Sequence, residues 1–258
     1  MELSMGERYQ YVLRKLNEQG FVKVYNLSKE LQVSSVTIRK DLKALEDREL
    51  LFRTHGGATS LNQYTNIPYP RPLIDKEKSN REAKQNIAKA AALLIEENDS
   101  IIIASGTTVI EFARNIGQQR NITVLSSTLN VSEILSKHPK VEVIQLGGII
   151  RKSSNSVIGS FAEKMLADLM CNKLFVGVDG IDLTYGLTTT SSMEASLNKV
   201  MIDSAQKVIV LSDSSKFGKR SFGRICGLDK VDILITDKFI KDSFKKSLET
   251  SGVKVIVA

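Results

Sequence analysis

Two rhythms of apolar and polar positions divide the chain. Up to about residue 50 the apolar side chains recur at helical spacing. Tyr9, Val12, Leu13 and Leu16 line one face of a first helix that Gly20 ends, and Leu27, Glu30 and Leu31 mark a short second one. Ile38, Leu42 and Leu45, at i, i+4 and i+7, share one face of a third, which Ser34 is suited to cap. From residue 83 onward short apolar runs take over: SIIIA (100–104), ITVL (122–125), VEVIQL (141–146), LFVGV (174–178), KVIVL (207–211), VDILI (231–235) and VKVIV (253–257). They are near-continuous rather than alternating, as strands covered on both faces are. Helical patterns fall between them near 83–97, 108–117, 129–137, 160–170, 192–205 and 238–250. This order predicts an α/β domain on a largely parallel sheet, preceded by a small helical domain.

Punctuation places the boundary. Pro68, Pro70 and Pro72, three of the chain's four prolines, crowd into NIPYPRP, and no glycine occurs from residue 58 to 105. Closely spaced prolines disfavour helix at the residues before them and read as an extended connector. The expected organisation is a small, mainly helical domain over 1–59, a linker over 60–75 and an α/β domain over 76–258.

Composition narrows the chemistry. The 258 residues are 42% hydrophobic and 25% charged, an ordinary globular balance. No apolar run approaches the roughly 18 residues of a membrane span, and MELSMGERYQ has no secretory apolar core. Two cysteines, two histidines and no CxxC or HExxH argue for a cytoplasmic chain with neither disulfide framework, metal nor cofactor. There is no GxxxxGK[ST], and no GxGxxG follows the first strand, which removes a nucleotide-dependent reading. The net charge of +7 points to an anionic partner. It does not single out the first domain, since residues 1–60 hold ten Lys/Arg against eight Asp/Glu. The placement of the basic residues carries that case.

NLSKELQVSSVTIRKDLKAL (26–45) has the form helix, tight turn, helix. At about 100° per residue, Ile38, Leu42 and Leu45 turn inward, while Val36, Lys40, Lys43 and Asp47 turn outward with Thr37 and Arg39 on the flanks. Such an edge of Ser, Thr, Arg and Lys suits a major groove, and the helix N-terminus adds amides for phosphate. In ELLFRTHGGA, Leu50 to Phe52 read as a short strand and Gly56-Gly57 as a tight turn, together a wing. The plain alternative is a helical hairpin with a solvated charged face. VSSVTIRKDLKALEDRELLFRTHGGA, however, closely resembles the N-terminal signature of DeoR-type bacterial transcriptional regulators: a VS-x-x-T-I-R-x-D-L recognition helix, then an R-x-HGGA wing. That resemblance implies that Ser34, Ser35, Thr37, Arg39 and Lys40 face double-stranded operator DNA, with Arg53 and His55 at the wing. Glu49 departs from the pattern, standing where glycine is common.

Polar groups also recur at the expected strand ends, where open parallel sheets bind ligands. Ser105, Gly106, Thr107 and Thr108 follow the first run; Ser126, Ser127 and Thr128 follow the second; Gly147, Gly148 and Arg151 follow the third; Asp179 and Asp182 follow the fourth; and Asp213 and Lys216 follow the fifth. Singly these are helix caps, turns and surface charges. Together they suit a phosphorylated polyol: amides, hydroxyls, Arg151 and Lys216 for phosphate, carboxylates for sugar hydroxyls. DSIIIASGTT, ITVLSSTLN, LGGIIR, FVGVDGID and VIVLSDSSKFG resemble the DeoR-type effector domain, itself related to the ribose-5-phosphate isomerase and CoA-transferase-like folds. The resemblance adds Glu194 to the site. It implies a regulator, a repressor of a carbohydrate-utilisation operon, that senses a phosphorylated sugar or derivative as a homodimer or homotetramer. Ala104 stands where Asp is common, Ser126-Ser127 where Thr-Asn is, and Asn198 where Lys is, which changes the pocket's polar complement. The alternative is a sugar-phosphate isomerase-like enzyme with an accessory DNA-binding domain, using Asp179, Asp182, Glu194 and Lys216 to move a proton.

Overall fold

The computed structural model describes residues 4–19, 21–48, 50–54, 56–59, 73–117 and 120–258. The chain divides into two compact units, 1–69 and 70–258. The prolines of the expected connector lie outside the described residues, as do Gly20, Glu49 and His55. Residues 73–75 of the expected connector are helical, the start of Leu73–Lys78. Proline restricts the residue before it and leaves the residue after it free to enter a helix.

The first unit runs α1 (Met5–Gln19), β1 (Phe21–Lys23), α2 (Val24–Glu30), α3 (Ser35–Asp47), β2 (Phe52–Thr54) and β3 (Gly57–Thr59). The three strands form an antiparallel sheet in the order β1-β3-β2. Its core is the predicted helical stripe, Tyr9, Val12, Leu16, Leu27, Ile38, Leu42 and Leu45, closed by Val22, Leu51 and Ala58. The wing strand sits two residues later than Leu50–Phe52. Leu51 is drawn into the core, and ladder pairing starts only at Phe52 opposite Thr59.

The second unit continues α4 (Leu73–Lys78), α5 (Arg81–Ala92), β4 (Ser100–Ile103), α6 (Thr107–Arg114), β5 (Ile122–Ser126), α7 (Leu129–Leu135), β6 (Val141–Gln145), β7 (Ile149–Arg151), β8 (Ser156–Ile158), α8 (Ser160–Leu166) and β9 (Cys171–Gly177). It then adds β10 (Gly180–Asp182), β11 (Gly186–Thr189), α9 (Ser192–Asp203), β12 (Ala205–Leu211), β13 (Gly223–Cys226), β14 (Ile233–Thr236), α10 (Asp242–Thr250) and β15 (Lys254–Val257). Each of the seven apolar runs becomes a strand of one parallel sheet, ordered β15-β14-β12-β9-β4-β5-β6. Successive residues bury on opposite faces. Ile101, Ile103, Phe175, Ile209 and Leu211 pack under α5, α6 and α7, while Ile102, Leu174, Val176, Val208 and Val210 pack under α8, α9 and α10. Both faces are therefore apolar, which explains the unbroken hydrophobic runs. The β7–β8 hairpin and the antiparallel β10-β11-β13 sheet are additions at the strand ends. Among the described residues no helix is long and apolar enough to cross a membrane.

The chain runs outward from β4 through β5 to β6, then returns to place β9 on the other side of β4. The crevice between the carboxyl ends of β4 and β9 is thus the switch point of the sheet, the usual ligand position in this architecture.

Candidate functional site

In the first unit, the Ser34 side chain caps α3 by accepting from the Thr37 amide at 3.1 Å, and its hydroxyl shares a 2.9 Å hydrogen bond with that of Thr37. These two hydroxyls shape the helix N-terminus as well as facing outward. Ser35 is half-buried. Val36, Arg39, Lys40, Lys43 and Asp47 form the exposed face of α3 and, with Ala44 and Arg53, line a shallow groove between helix and wing. Among the described residues no carboxylate pairs with Arg39 or Lys40. Arg53, by contrast, donates its amide to Glu46 Oε1 at 3.1 Å, and its guanidinium lies 3.7 Å from Glu46 Oε2, so the wing is tethered to α3. Val36, outward by the helical arithmetic, is an exposed apolar side chain on this face. The missed organiser is Asp41. It is buried and accepts from Arg8 Nε at 2.8 Å and Nη2 at 3.1 Å, joining α1 to α3 through a bidentate pair.

In the second unit, the switch point gathers one connected polar cluster. Glu194, buried in the first turn of α9, accepts from the Ser105 hydroxyl, from Thr189 at 3.2 Å and from Arg151 Nη1 at 3.2 Å. Ser191 caps α9 by accepting from the Glu194 amide. The Ser-x-x-Glu spacing would send the carboxylate back to the cap amide, but it turns into the site instead. Arg151 also reaches Ser154 and Thr190. Asp179 accepts from Lys76 Nζ at 2.8 Å, from Thr189 and from the Thr190 amide, with Lys216 Nζ 4.0 Å away. Burial opposes ionisation of Asp179, but the Lys76 and Lys216 charges outweigh it and hold its carboxyl below the usual range. Burial pulls Lys216 down, with Asp179 and Asp213 opposing.

The SGTT segment is not closed by a side-chain cap. Gly106, at φ +130°, is the N-cap of α6 with no side-chain hydrogen bond. A Cβ there would make only an ordinary 3.9 Å contact with Gly177 Cα, so it is the positive φ that calls for glycine. The α6 N-terminal amides of Thr107 and Thr108 therefore present a positive helix end at the crevice. Thr107 also lines a groove with Lys78, Arg81 and Lys84.

Several expected residues do other work. Ser126 Oγ donates to the Ile103 carbonyl and accepts from the Thr128 amide, and Thr128 Oγ1 donates to the Ala104 carbonyl. Both are fully buried, so these hydroxyls tie the end of β5 to the β4 loop and leave the ligand role. Ser127 is also buried, its carbonyl accepting from Val157. Gly147 and Gly148 are exposed at the base of the β7–β8 hairpin. At Gly148 (φ +147°) a Cβ would lie 2.9 Å from the Ile158 carbonyl, so glycine is there for the turn. Asp182 is not brought to the cluster. It accepts from Arg220 at 2.9 and 3.0 Å and from the Thr184 and Tyr185 amides, because β10 carries it away into the β10–β11 turn. Arg220 holds its carboxyl down at about 2.

Lys76, Lys84, Thr189 and Thr190 were missed. The Lys84 ammonium is buried against the carbonyls of Lys76 and Ser79. Burial lowers it from 10.5 to about 8, with Asp213 opposing and Lys216 and Lys76 reinforcing. A base whose pKa falls on folding takes up a proton on unfolding, so this site's contribution to stability increases as pH rises from about 8 towards 10.5. Urea unfolding of wild type and Lys84→Met at pH 7.5, 8.5 and 9.5 is expected to show the difference moving in favour of wild type across the series; a flat difference contradicts the buried ammonium.

A winged helix-turn-helix unit with an open basic recognition face, joined to an α/β unit with a polar crevice, defines a DNA-binding regulator with a sensor domain. The family models agree: a DeoR-like helix-turn-helix domain matches residues 8–64 and the DeoR C-terminal sensor domain matches 79–238. The chain belongs to the DeoR family of transcriptional regulators. It is 36% identical, over 98% of its length and 93% of the relative's, to a protein of Escherichia coli O157:H7 named as an aga operon transcriptional repressor. It is 31% identical to the transcriptional repressor AccR of Agrobacterium fabrum (99% and 98% covered) and 31% identical to the transcriptional repressor GlcR of Bacillus subtilis (97% and 95%). Among solved structures, ribose 5-phosphate isomerase A from Methanocaldococcus jannaschii overlaps 54% of this chain and 55% of its own, at 18% identity and a TM-score of 0.41. The relatives are named as transcriptional regulators.

Proposed function

We propose that this protein represses a carbohydrate-utilisation operon and that a phosphorylated sugar or polyol, bound at the crevice between β4 and β9, lowers its affinity for operator DNA. Residues 1–59 read DNA, residues 76–258 hold the effector and pair copies of the chain, and the whole acts in the cytoplasm as a homodimer or homotetramer. The observation that carries the reading is the convergence, at one switch point, of an uncapped helix N-terminus with Arg151 and Lys216 for phosphate and Asp179 and Glu194 for hydroxyls. The repressor names of the relatives support the sign of the control. A ligand moves such an equilibrium only by its differential affinity for the two states. A thermal-shift screen of sugar phosphates and polyol phosphates tests the ligand class. A true effector at 100 times its Kd adds about 2.7 kcal/mol of stability, whereas unphosphorylated sugars add none. No shift from any phosphorylated compound would sink the proposal.

The DNA face gives a separate expectation. Arg39→Ala removes a guanidinium that pairs with no carboxylate among the described residues from the exposed side of α3, and leaves the core untouched. Operator affinity should fall about 5- to 150-fold, the 1–3 kcal/mol of a base contact, with the melting temperature unchanged. A gel-shift titration at fixed salt that returns wild-type affinity rejects this assignment.

A further inference from the structure

We infer that Asn198 reads a hydroxyl of the effector one helical turn inward of Glu194, and so helps decide which phosphorylated sugar the protein answers to. The inference rests on the effector reading above and names a contact within that site. Asn198 is 3% exposed, and it is the one buried asparagine among the described residues. Its side-chain amide has no hydrogen-bond partner among them. Other buried polar side chains of this unit are met: Glu194 by Ser105, Thr189 and Arg151, Lys173 by Asp99, and Lys84 by two backbone carbonyls.

The position is a costly one for an amide. α9 buries Ala195, Leu197, Met201 and Ile202 beside it, and the sheet face beneath is built from Ile102, Leu174 and Val176. None of these side chains can donate or accept. A buried amide without a partner lowers stability, and an apolar side chain of similar size would remove that cost. Among the described residues, the polar side-chain atoms that are fully enclosed and unpartnered lie on His138, Ser221 and Thr236. Those of Asn198 are not among them, so its amide keeps an opening.

Helix geometry puts that opening on the side of the crevice. Asn198 follows Glu194 by four residues on α9, so the two share a face, with Cβ atoms about 5–6 Å apart. Side chains on a helix lean towards its N-terminus. The N-terminus of α9 is at the crevice, where Glu194 meets Ser105 and Arg151. The Asn198 amide therefore leans back towards the same polar cluster.

Chemistry selects the group it takes. The Glu194 carboxylate only accepts, and three side chains already donate to it. Asn198 does both: Nδ2 donates and Oδ1 accepts. A hydroxyl also does both, whereas an ionised phosphate only accepts and leaves Oδ1 unmet. A site built to bond one hydroxyl rejects the analogue that lacks it far more strongly than an apolar pocket rejects an added group. Asn198 is in this way a specificity position, with the phosphate held by other groups.

Melting curves of the full chain test both halves of the argument. With no compound added, Asn198→Leu or Asn198→Met is expected to melt at least about 2 °C above wild type, because an unpaired amide has been removed. Pentose and hexose monophosphates, each beside its single-carbon epimers and deoxy forms, are then titrated into wild type and the stabilised variant, and affinities are read from the shifts. Compounds that bind wild type should bind the variant at least tenfold more weakly. The variant should also lose the preference over the one epimer or deoxy form that wild type rejects. Neither variant melting above wild type would overturn the inference, by showing that the amide is satisfied within the fold. Unchanged affinity and ranking in the variant would overturn it and leave the effector class standing. A panel that binds neither protein would overturn both readings.

Discussion

Asp41→Ala is expected to unfold the DNA-binding unit at temperatures where the α/β unit remains intact. The Asp41 carboxylate is buried in the core face of α3 and holds both Arg8 Nε and Nη2. Removing one partner of a buried ion pair costs about 3–5 kcal/mol, because the other loses its compensation. A unit of this size has little more stability than that in total. At about 4–8 °C per kcal/mol for a domain of this size, its transition should fall by more than 10 °C. Asp41→Asn keeps one acceptor and should lose less. Calorimetry of the full chain, with hydrogen exchange in α1 and α3 to assign the transition, decides the matter. A transition that does not move, with normal operator binding, would show that the pair is not what joins the helices.

The second large effect concerns Glu194. Its carboxylate collects Ser105 from the β4 loop, Thr189 from β11 and Arg151 from β7, three elements distant in sequence. Glu194→Gln preserves its volume but removes the charge that holds Arg151. Glu194→Ala removes the hub altogether. The operator affinity of the ligand-free protein should be nearly that of wild type, since the residue lies in the other unit. The effector's ability to change that affinity should fall at least tenfold, with Ala worse than Gln. Fluorescence anisotropy on labelled operator, titrated with effector, measures both quantities. A full response in Glu194→Ala would remove this residue from the site.

Much of this architecture was legible because its strands are buried on both faces. Seven unbroken apolar runs separated by helical patterns leave little choice but a parallel sheet, and the Ile38–Leu42–Leu45 stripe defines α3 by itself. The short strands outside those runs escaped. β1, β7, β8, β10, β11 and β13 are too short to show a period, and they are ordered by what they pair with. The candidate site was half legible. Strand ends pointed to Ser105, Asp179, Arg151 and Lys216, but small polar residues at a strand end also serve to satisfy neighbouring carbonyls, and Ser126 and Thr128 do that. Asp182 follows Asp179 by only three residues, yet an intervening strand carries it to a different turn. Lys76 was hidden because it reaches Asp179 from 103 residues away in the chain, a contact no local pattern encodes. Asp41 was hidden because a carboxylate on a helix ordinarily reads as surface, and only the fold supplies Arg8.

The proposed coupling of a phosphorylated-sugar site to DNA within one chain can be measured directly. The direct measurement is operator affinity of the purified full-length protein, at fixed salt, with and without each member of a sugar-phosphate panel. At least one phosphorylated compound is expected to weaken operator binding tenfold or more, and its unphosphorylated counterpart to leave it unchanged. Operator affinity unchanged by every compound, including any that raises the melting temperature, would contradict it.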